Sequence, residues 1–350
     1  MRGLLLGLLA LSGSALAGCR SSSYDDVDPV SAGEHIDLAQ QDIQAGILQR
    51  ALERLVAVRE VQGLDPDLRA RDEELLEEAA RRRFEELKES DSGEFEDLYD
   101  ASLPERLKAQ AGILAAERML ADGRRVSAYK MIKKVDQALP SHSERVLAGD
   151  VLARAGLSLI RDEGRYYLLF RYRTRGIQAL EYLVVNYPLD PHCPEAYDAL
   201  AQTYEQIDEL DQAIERCEDL LLYHPQSVYA VVAGVRLPYL RMKRMRRDDY
   251  DREELLRAHR ELQLWLERHP EHELASWGRE LARECQARLV RSDLGLARYY
   301  ERTGRSYGVR IHAERALRTA QDAGLTEEAR AARELLDGAG APGAAPGTSP

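Results

Sequence analysis

The chain has 350 residues, 31% of them charged and only 6% aromatic, with a formal net charge of −12. An acid excess of that size excludes general affinity for nucleic acid or anionic lipid, because both need a positive face. Four cysteines in so long a chain do not make a disulfide framework, and the bias towards Ala, Leu, Glu and Arg is that of solvated amphipathic helices rather than of a β-rich or α/β core.

Residues 1–18 read as a secretory signal: Met1-Arg2, an apolar run from Leu4 to Leu11 too short to cross a bilayer, then Leu16-Ala17-Gly18 before Cys19. The sequence LAGC resembles the lipobox of bacterial lipoproteins. That resemblance implies that the Cys19 thiol is joined to diacylglycerol (palmitate and related acyl chains) and becomes the new N-terminus. Arg20 stands where an aspartate would retain an enteric lipoprotein in the inner membrane, so the same resemblance implies the outer membrane, with the protein on its periplasmic face. Residues 19–31 are polar and without apolar periodicity, as a flexible tether is.

Helical hairpins follow. From Ala32 a first repeat places Leu38 and Ala39 on one helix, Gly46 at the turn, and Ala51 and Leu55 on a second. Residues Asp67 to Glu89 form one long, highly charged amphipathic helix with Leu68, Leu75, Leu76, Ala79, Phe84 and Leu87 as its apolar stripe, and Ser90 to Gly93 break it. A cleaner repeat starts near Ala109, with Ala115, Ala116 and Met119, the turn Gly123, then Ala128, Ile132, Val135 and Pro140. The next runs from Ser143 to Pro188 and carries an insert, RYYLLFRYRTR, in which arginines alternate with aromatics. Tyr166, Tyr167, Phe170 and Tyr172, with Arg171, Arg173 and Arg175, either present a contact surface or pack an enlarged corner between helices.

The stretch from Pro194 to Pro225 sets the register for all of these. Tyr197, Leu200, Ala201, Tyr204, Ala213 and Pro225 fall where a tetratricopeptide repeat of about 34 residues wants them. Small Ala201 and Ala213 let two antiparallel helices approach, and the proline ends the second. Gln226 to Pro270 is a longer version that keeps Ala258, Leu262, Trp265 and Pro270, its extra material being the mixed-sign run Arg241 to Glu254, expected as a solvated helix end and loop. A last repeat has Leu296, Ala297 and Tyr300, the turn Gly304, then Val309, Ala313 and Ala316. Leu325 to Leu336 closes the array, and residues 338–350 are low-complexity and expected to be disordered. One hairpin cannot bury its own apolar face, so the expected fold is an all-α tetratricopeptide-repeat solenoid.

No enzymatic constellation or cofactor motif stands out, and the chain is expected not to be an enzyme. His269 and His272 flank a helix-ending proline with no third ligand at zinc spacing, and Cys193, Cys217 and Cys285 fit small buried helix positions. Binding residues follow from the register, because first-helix positions line the groove of a tetratricopeptide array. They give an apolar lining in the N-terminal repeats (Ile36, Ile43, Ile113, Leu120), an acidic one in the Pro194 repeat (Glu195, Asp198, Glu205), and a mainly basic one at the end (Arg291, Arg298, Arg302). The expectation is an apolar peptide held by the former and an acidic partner docked by the latter.

YLVVNYP at Tyr182 to Pro188, YHPQSVYA at Tyr223 to Ala230 and LGLARYYERTGRSY at Leu294 to Tyr307 resemble the outer-membrane assembly lipoprotein family BamD. That family combines a lipobox, a run of tetratricopeptide repeats and an insertion in a late repeat. The resemblance covers roughly 164–337 and the anchor, leaving 32–163 as N-terminal repeats with a long charged helix that do not align. It implies a scaffold of the β-barrel assembly machinery that binds the barrel-forming subunit (BamA-like) and unfolded barrel proteins. It implies membrane attachment through the lipid, no cofactor and no nucleic acid. Where the family has a partner-contacting arginine six residues after a C-terminal tyrosine, this chain has Ala313 after Tyr307, with Arg310 or Arg315 as the nearby arginine to replace it in space. The alternative reading is an envelope scaffold for cell-wall coordination or polysaccharide export, built on similar repeats.

Overall fold

The computed structural model describes residues 27–89, 91–162, 165–166, 170–245 and 252–340. Cys19, Tyr167, residues 246–251 of the mixed-sign run and residues 341–350 of the tail lie outside them. The described residues are almost wholly helical. In order they form α1 (Ala32–Gln44), α2 (Leu48–Arg59), α3 (Pro66–Glu86) with a 3₁₀ turn at Leu87–Glu89, α4 (Ser92–Asp100), α5 (Glu105–Ala121), α6 (Arg125–Ala138), α7 (Arg145–Ile160), α8 (Tyr172–Asn186), α9 (Cys193–Gln206) and α10 (Leu210–Tyr223). They continue with α11 (Val228–Arg244), α12 (Arg252–Arg268), α13 (Ala275–Arg302), α14 (Ser306–Asp322) and α15 (Thr326–Gly340). Between α7 and α8 lies a two-residue antiparallel pair, β1 (Arg165–Tyr166) with β2 (Phe170–Arg171).

Two kinds of connection alternate along the chain. Within a hairpin, the first helix ends on a residue with positive φ: Gly46, Gly123, Asp208 and Gly304. The following N–H reaches back to a carbonyl five residues earlier, as Ile47 does to Asp42, Arg124 to Met119, Glu209 to Tyr204 and Arg305 to Tyr300, at 2.8–2.9 Å. This left-handed closure satisfies carbonyls that the helix end would otherwise leave open, and it favours glycine. Between hairpins the chain turns on Leu139-Pro140-Ser141-His142, Tyr187-Pro188-Leu189-Asp190, His224-Pro225-Gln226-Ser227 and His269-Pro270-Glu271-His272. In each turn the fourth N–H donates to the first carbonyl, at 2.9–3.2 Å. Proline supplies the fixed φ that such a turn needs and cannot continue the helix before it. The two insertions, at 161–171 and 245–251, replace turns of the first kind only.

Near the N-terminus α1, α2 and α3 pack on one another, and from α7 to α15 consecutive helices pack while alternate helices touch, α7 with α9, α9 with α11 and α13 with α15. The fold is therefore an all-α solenoid of stacked helical hairpins, as the register predicts. Chain contacts group the residues into two units, 1–118 with 134–144 and 119–133 with 145–350. The expected boundary at 163/164 would cut the α7/α8 hairpin, which packs as one piece: Gly156 lies where a Cβ would sit 2.5 Å from Leu180, and Gly176 where one would sit 2.4 Å from the Ile160 backbone nitrogen.

In the first unit α3 begins as the sequence predicts, with Asp65 capping the N–H groups of Asp67 and Leu68 and Pro66 in the first turn. Leu75, Leu76, Ala79, Ala80 and Phe84 are its buried face, and Phe84 meets Phe95 of α4 with ring centroids 6.2 Å apart. In the second unit the stretch between Pro270 and Arg291, which the repeat register leaves unassigned, is taken up from Ala275 by α13, one 28-residue helix that serves two hairpins. Its N-terminal part, with Leu281, Cys285 and Leu289, joins the core of α11 and α12, while Val290, Leu294 and Ala297 join that of α14 and α15. In α11, which carries Pro238 in its interior, Gly234 makes room for Trp265, whose indole N–H donates to the Val231 carbonyl at 2.8 Å.

Candidate partner-binding surface

The expected apolar groove is not a surface. Ile36, Ile43 and Ile113 are buried, and only Leu120 is half-exposed. The physical reason on α1 is α3, which lies along the face that the repeat register alone leaves open. Gly33 of α1 contacts Leu68, Arg71 pairs with Asp37 at 2.8 Å and donates to Gln40 at 2.5 Å, and Arg82 donates to the Ile43 carbonyl at 3.2 Å. The isoleucines thus belong to the core of the first unit.

The acidic lining of the Pro194 repeat is present but neutralised by its neighbours. Glu195 accepts from Arg161, just past the end of α7, at 2.8 Å, and Asp198 is held by Arg236 of α11 and by Gln202. Glu205 accepts from both Tyr239 and Lys243 of α11 at 3.0 Å. A single repeat shows the carboxylates. The cations that cancel them sit about one repeat away, beyond any local window.

Arginines of the mixed-sign run also turn inwards. Arg241 is almost fully buried on α11 and meets three carboxylates, Glu218 at 2.7 Å, Glu254 at 3.2 Å and Glu261 at 2.7 Å. Sequence reasoning took this residue for part of a solvated helix end. The signal that points inside is its spacing after Leu237, one turn earlier on the buried face of α11. A second such centre is Asp293 on α13, also missed: it is buried and faces Arg252 at 2.9 Å, His312 at 3.1 Å and Arg315 at 3.7 Å. Arg315 is therefore committed to the core of the α13/α14 hairpin, and Tyr300 stacks on His312 with centroids 5.5 Å apart.

Against that inward habit, the last repeat keeps cations outside. Arg291, Arg298, Arg302 and Arg310 are all exposed. Arg291 pairs with Glu284 at 3.1 Å, whereas Arg298, Arg302 and Arg310 have no ion pair among the described residues. Arg291 and Arg298 line a shallow cleft of about 370 Å³ between α13 and α15, with Leu294, Ala331, Glu327 and Glu328 on its other walls. Exposed Leu296, Tyr299, Tyr307 and Ile311 share the same two helices as the arginines. Solvated guanidinium groups beside tyrosine and leucine are the composition of a protein contact surface.

The remaining sequence candidates have structural places. Tyr172 lies under the Arg125 guanidinium, 4.9 Å from its ring centroid, and Arg125 also pairs with Asp162 at 2.6 Å. Tyr172 is thus packed, while Tyr167 lies outside the described residues. His269 and His272 rest against Trp265, at 5.2 and 5.4 Å between centroids, and His272 Nδ1 accepts from the Leu274 N–H. Cys193, Cys217 and Cys285 are buried, and burial pushes each thiol up to about 12. They are thiols, not thiolates, at neutral pH. Among the described residues no helix is long and apolar enough to cross a membrane.

No protein-family model and no curated sequence matches the chain. Among solved structures, a circular tandem repeat protein with novel repeat topology and enhanced subunit contact surfaces aligns over 88% of this chain and 75% of its own length, at 19% identity and a TM-score of 0.18. A score that low carries no argument, and the fold rests on the helix packing described above.

Proposed function

We propose that this chain is a lipid-anchored helical-repeat scaffold of the bacterial envelope that docks an acidic surface of a partner protein on α13 and α14. The observation that carries the reading is Arg298, Arg302 and Arg310: exposed guanidinium groups without an internal carboxylate, in a unit whose other arginines so often have one. Exposed Tyr299 and Tyr307 beside them supply amphipathic contact area. Such a surface recruits its partner by charge complementarity, which sets association rate and orientation.

The finer assignment comes from the resemblance of Tyr182 to Pro188, Tyr223 to Ala230 and Leu294 to Tyr307 to the BamD family, together with the LAGC box at Cys19. On that basis the partner is the barrel-forming subunit of the outer-membrane assembly machinery, and Arg310 takes the place of the family's contact arginine because Arg315 is engaged by Asp293. The buried isoleucines give no surface for unfolded barrel substrates. Affinity purification from detergent-solubilised envelopes, followed by mass spectrometry of the recovered proteins and of the N-terminal peptide, tests the assignment. It expects a barrel subunit as main partner and an acylated Cys19. Recovery of cell-wall or polysaccharide-export proteins instead, or an unmodified thiol at Cys19, overturns it.

A further inference from the structure

The second unit has an exposed apolar edge that the docking surface does not use. It lies where second helices of hairpins end and first helices begin, and three successive repeats each contribute a pair: Val146 and Leu147 at the start of α7, Val185 and Leu189 around the end of α8, Leu222 and Tyr223 at the end of α10. Their exposures run from 48% for Leu147 to 95% for Leu189. With on the order of 170 Å² for a fully exposed large apolar side chain, the six present roughly 700 Å². Monomeric proteins rarely leave that much apolar surface in one region, and it approaches the roughly 800 Å² that each partner gives to a standard interface.

Several formal charges near this edge are paired within the fold, although Glu144 beside Val146 is half-exposed and Glu218, one turn before Leu222, is exposed and pairs with Arg241. The Arg145 guanidinium bonds to the Asn186 carbonyl and lies 4.4 Å from the Tyr187 ring centroid. Asp190 is buried and accepts from the His192 N–H at 2.9 Å, and His192 pairs with Asp150 at 3.3 Å. The tips beside the second and third pairs, Pro188 and Gln226, are uncharged. At the next repeat the stripe stops, because Glu267, Glu271 and Glu273 are exposed there.

We infer that this edge is the interface with a second copy of the chain, related by a two-fold axis. A strip that is mainly apolar complements itself, whereas a strongly charged one needs a partner of opposite sign. The three-repeat stripe also has a natural centre: a two-fold axis at the middle repeat sets Val185 and Leu189 against their own copies and brings Val146 and Leu147 opposite Leu222 and Tyr223 of the other chain. A lipid surface fits less well, since interfacial apolar faces are flanked mainly by Lys and Arg, and this one is bounded by Glu267, Arg268, Glu271 and Glu273, a net acidic set on a chain of net charge −12. The inference does not depend on what docks at α13 and α14.

The test is light scattering of the full chain in a mild detergent, read over a concentration series. Wild type is expected to contain two copies per particle. The double variant Leu189→Glu/Leu222→Glu should weaken association at least 100-fold, with unchanged helical circular dichroism and melting, because both side chains already face solvent. Val30→Glu, equally exposed in the first unit, should leave the dimer intact. A wild type that stays monomeric up to about 100 µM overturns the inference, and so does a dimer that survives the double substitution. A monomer that floats with liposomes only while Leu189 and Leu222 are present overturns it in favour of a lipid surface.

Discussion

Two first helices of hairpins, α1 and the C-terminal half of α13, carry similar seams of small residues yet meet opposite fates. On α1 an additional helix, α3, lies across the remaining face, binds it through Arg71 and Arg82, and turns Ile36 and Ile43 into core. On α13 the outer face stays open, and Arg298 and Arg302 point to water. A tetratricopeptide-type register says which residues lie on the groove side of a helix. Whether that side is a binding surface depends on what else the chain folds over it.

The same contrast holds for one residue type. Arg241 is buried among three glutamates and Arg298 is open, so their removal should have opposite consequences. Arg241→Ala leaves Glu218, Glu254 and Glu261 together without their cation and should cost about 3–5 kcal/mol, seen as a large drop in the thermal or urea midpoint of the second unit. Arg298→Ala should stay within about 0.5 kcal/mol of wild type. Equal losses from the two would erase the distinction between a structural and an available arginine.

The covering helix should respond to pH. Asp72 on α3 is buried, its Oδ1 has no hydrogen-bond partner, and burial pushes its carboxyl up to about 7 against the opposing pull of Arg59 and Arg69. A carboxyl raised in the folded state binds its proton more tightly there than in the unfolded chain. Its favourable contribution is full below the unfolded value near 4 and is lost as pH rises through 7. The first unit should therefore be more stable at pH 5 than at pH 8, by roughly 2 kcal/mol or more, and Asp72→Asn should flatten that slope. A wild-type stability that rises between pH 5 and pH 8 would show that Asp72 is ionised and solvated in the fold.

The smallest effect concerns a turn. Asp208 is the one non-glycine residue with positive φ among the described residues, 63°, at a position that Gly46, Gly123 and Gly304 occupy in other hairpins. Asp208→Gly should stabilise the second unit by about 0.5–1 kcal/mol, readable as a shift of a degree or two in melting. Destabilisation would mean that the aspartate side chain contributes more than the backbone conformation costs.

Much of this was legible beforehand, for reasons that particular residues make plain. Gly46, Gly123 and Gly304 mark turns within hairpins, Pro140, Pro188, Pro225 and Pro270 mark the turns between them, and the charged amphipathic pattern places the start of α3 within a residue of Pro66, behind the Asp65 cap. These are local signals, read within a few residues. What escaped is non-local. The stripe Leu75, Leu76, Ala79 shows that α3 is amphipathic but not that it covers α1. The carboxylates Glu195, Asp198 and Glu205 look like an acidic groove until Arg161, Arg236 and Lys243 from other parts of the chain are placed beside them. The repeat register leaves the stretch before Arg291 unassigned, and α13 runs through it with Asp293 at the junction, facing three side chains distant in sequence.

The central claim is that the open arginine face of α13 and α14 holds the partner. Parallel affinity purifications of wild type and of Arg298→Glu/Arg302→Glu from solubilised envelopes test it most directly, with circular dichroism showing both chains equally helical. The account predicts that the wild type retains its main partner and the reversed chain loses at least nine-tenths of it, on the order of 1.4 kcal/mol or more of binding. Equal recovery by the two chains would contradict it.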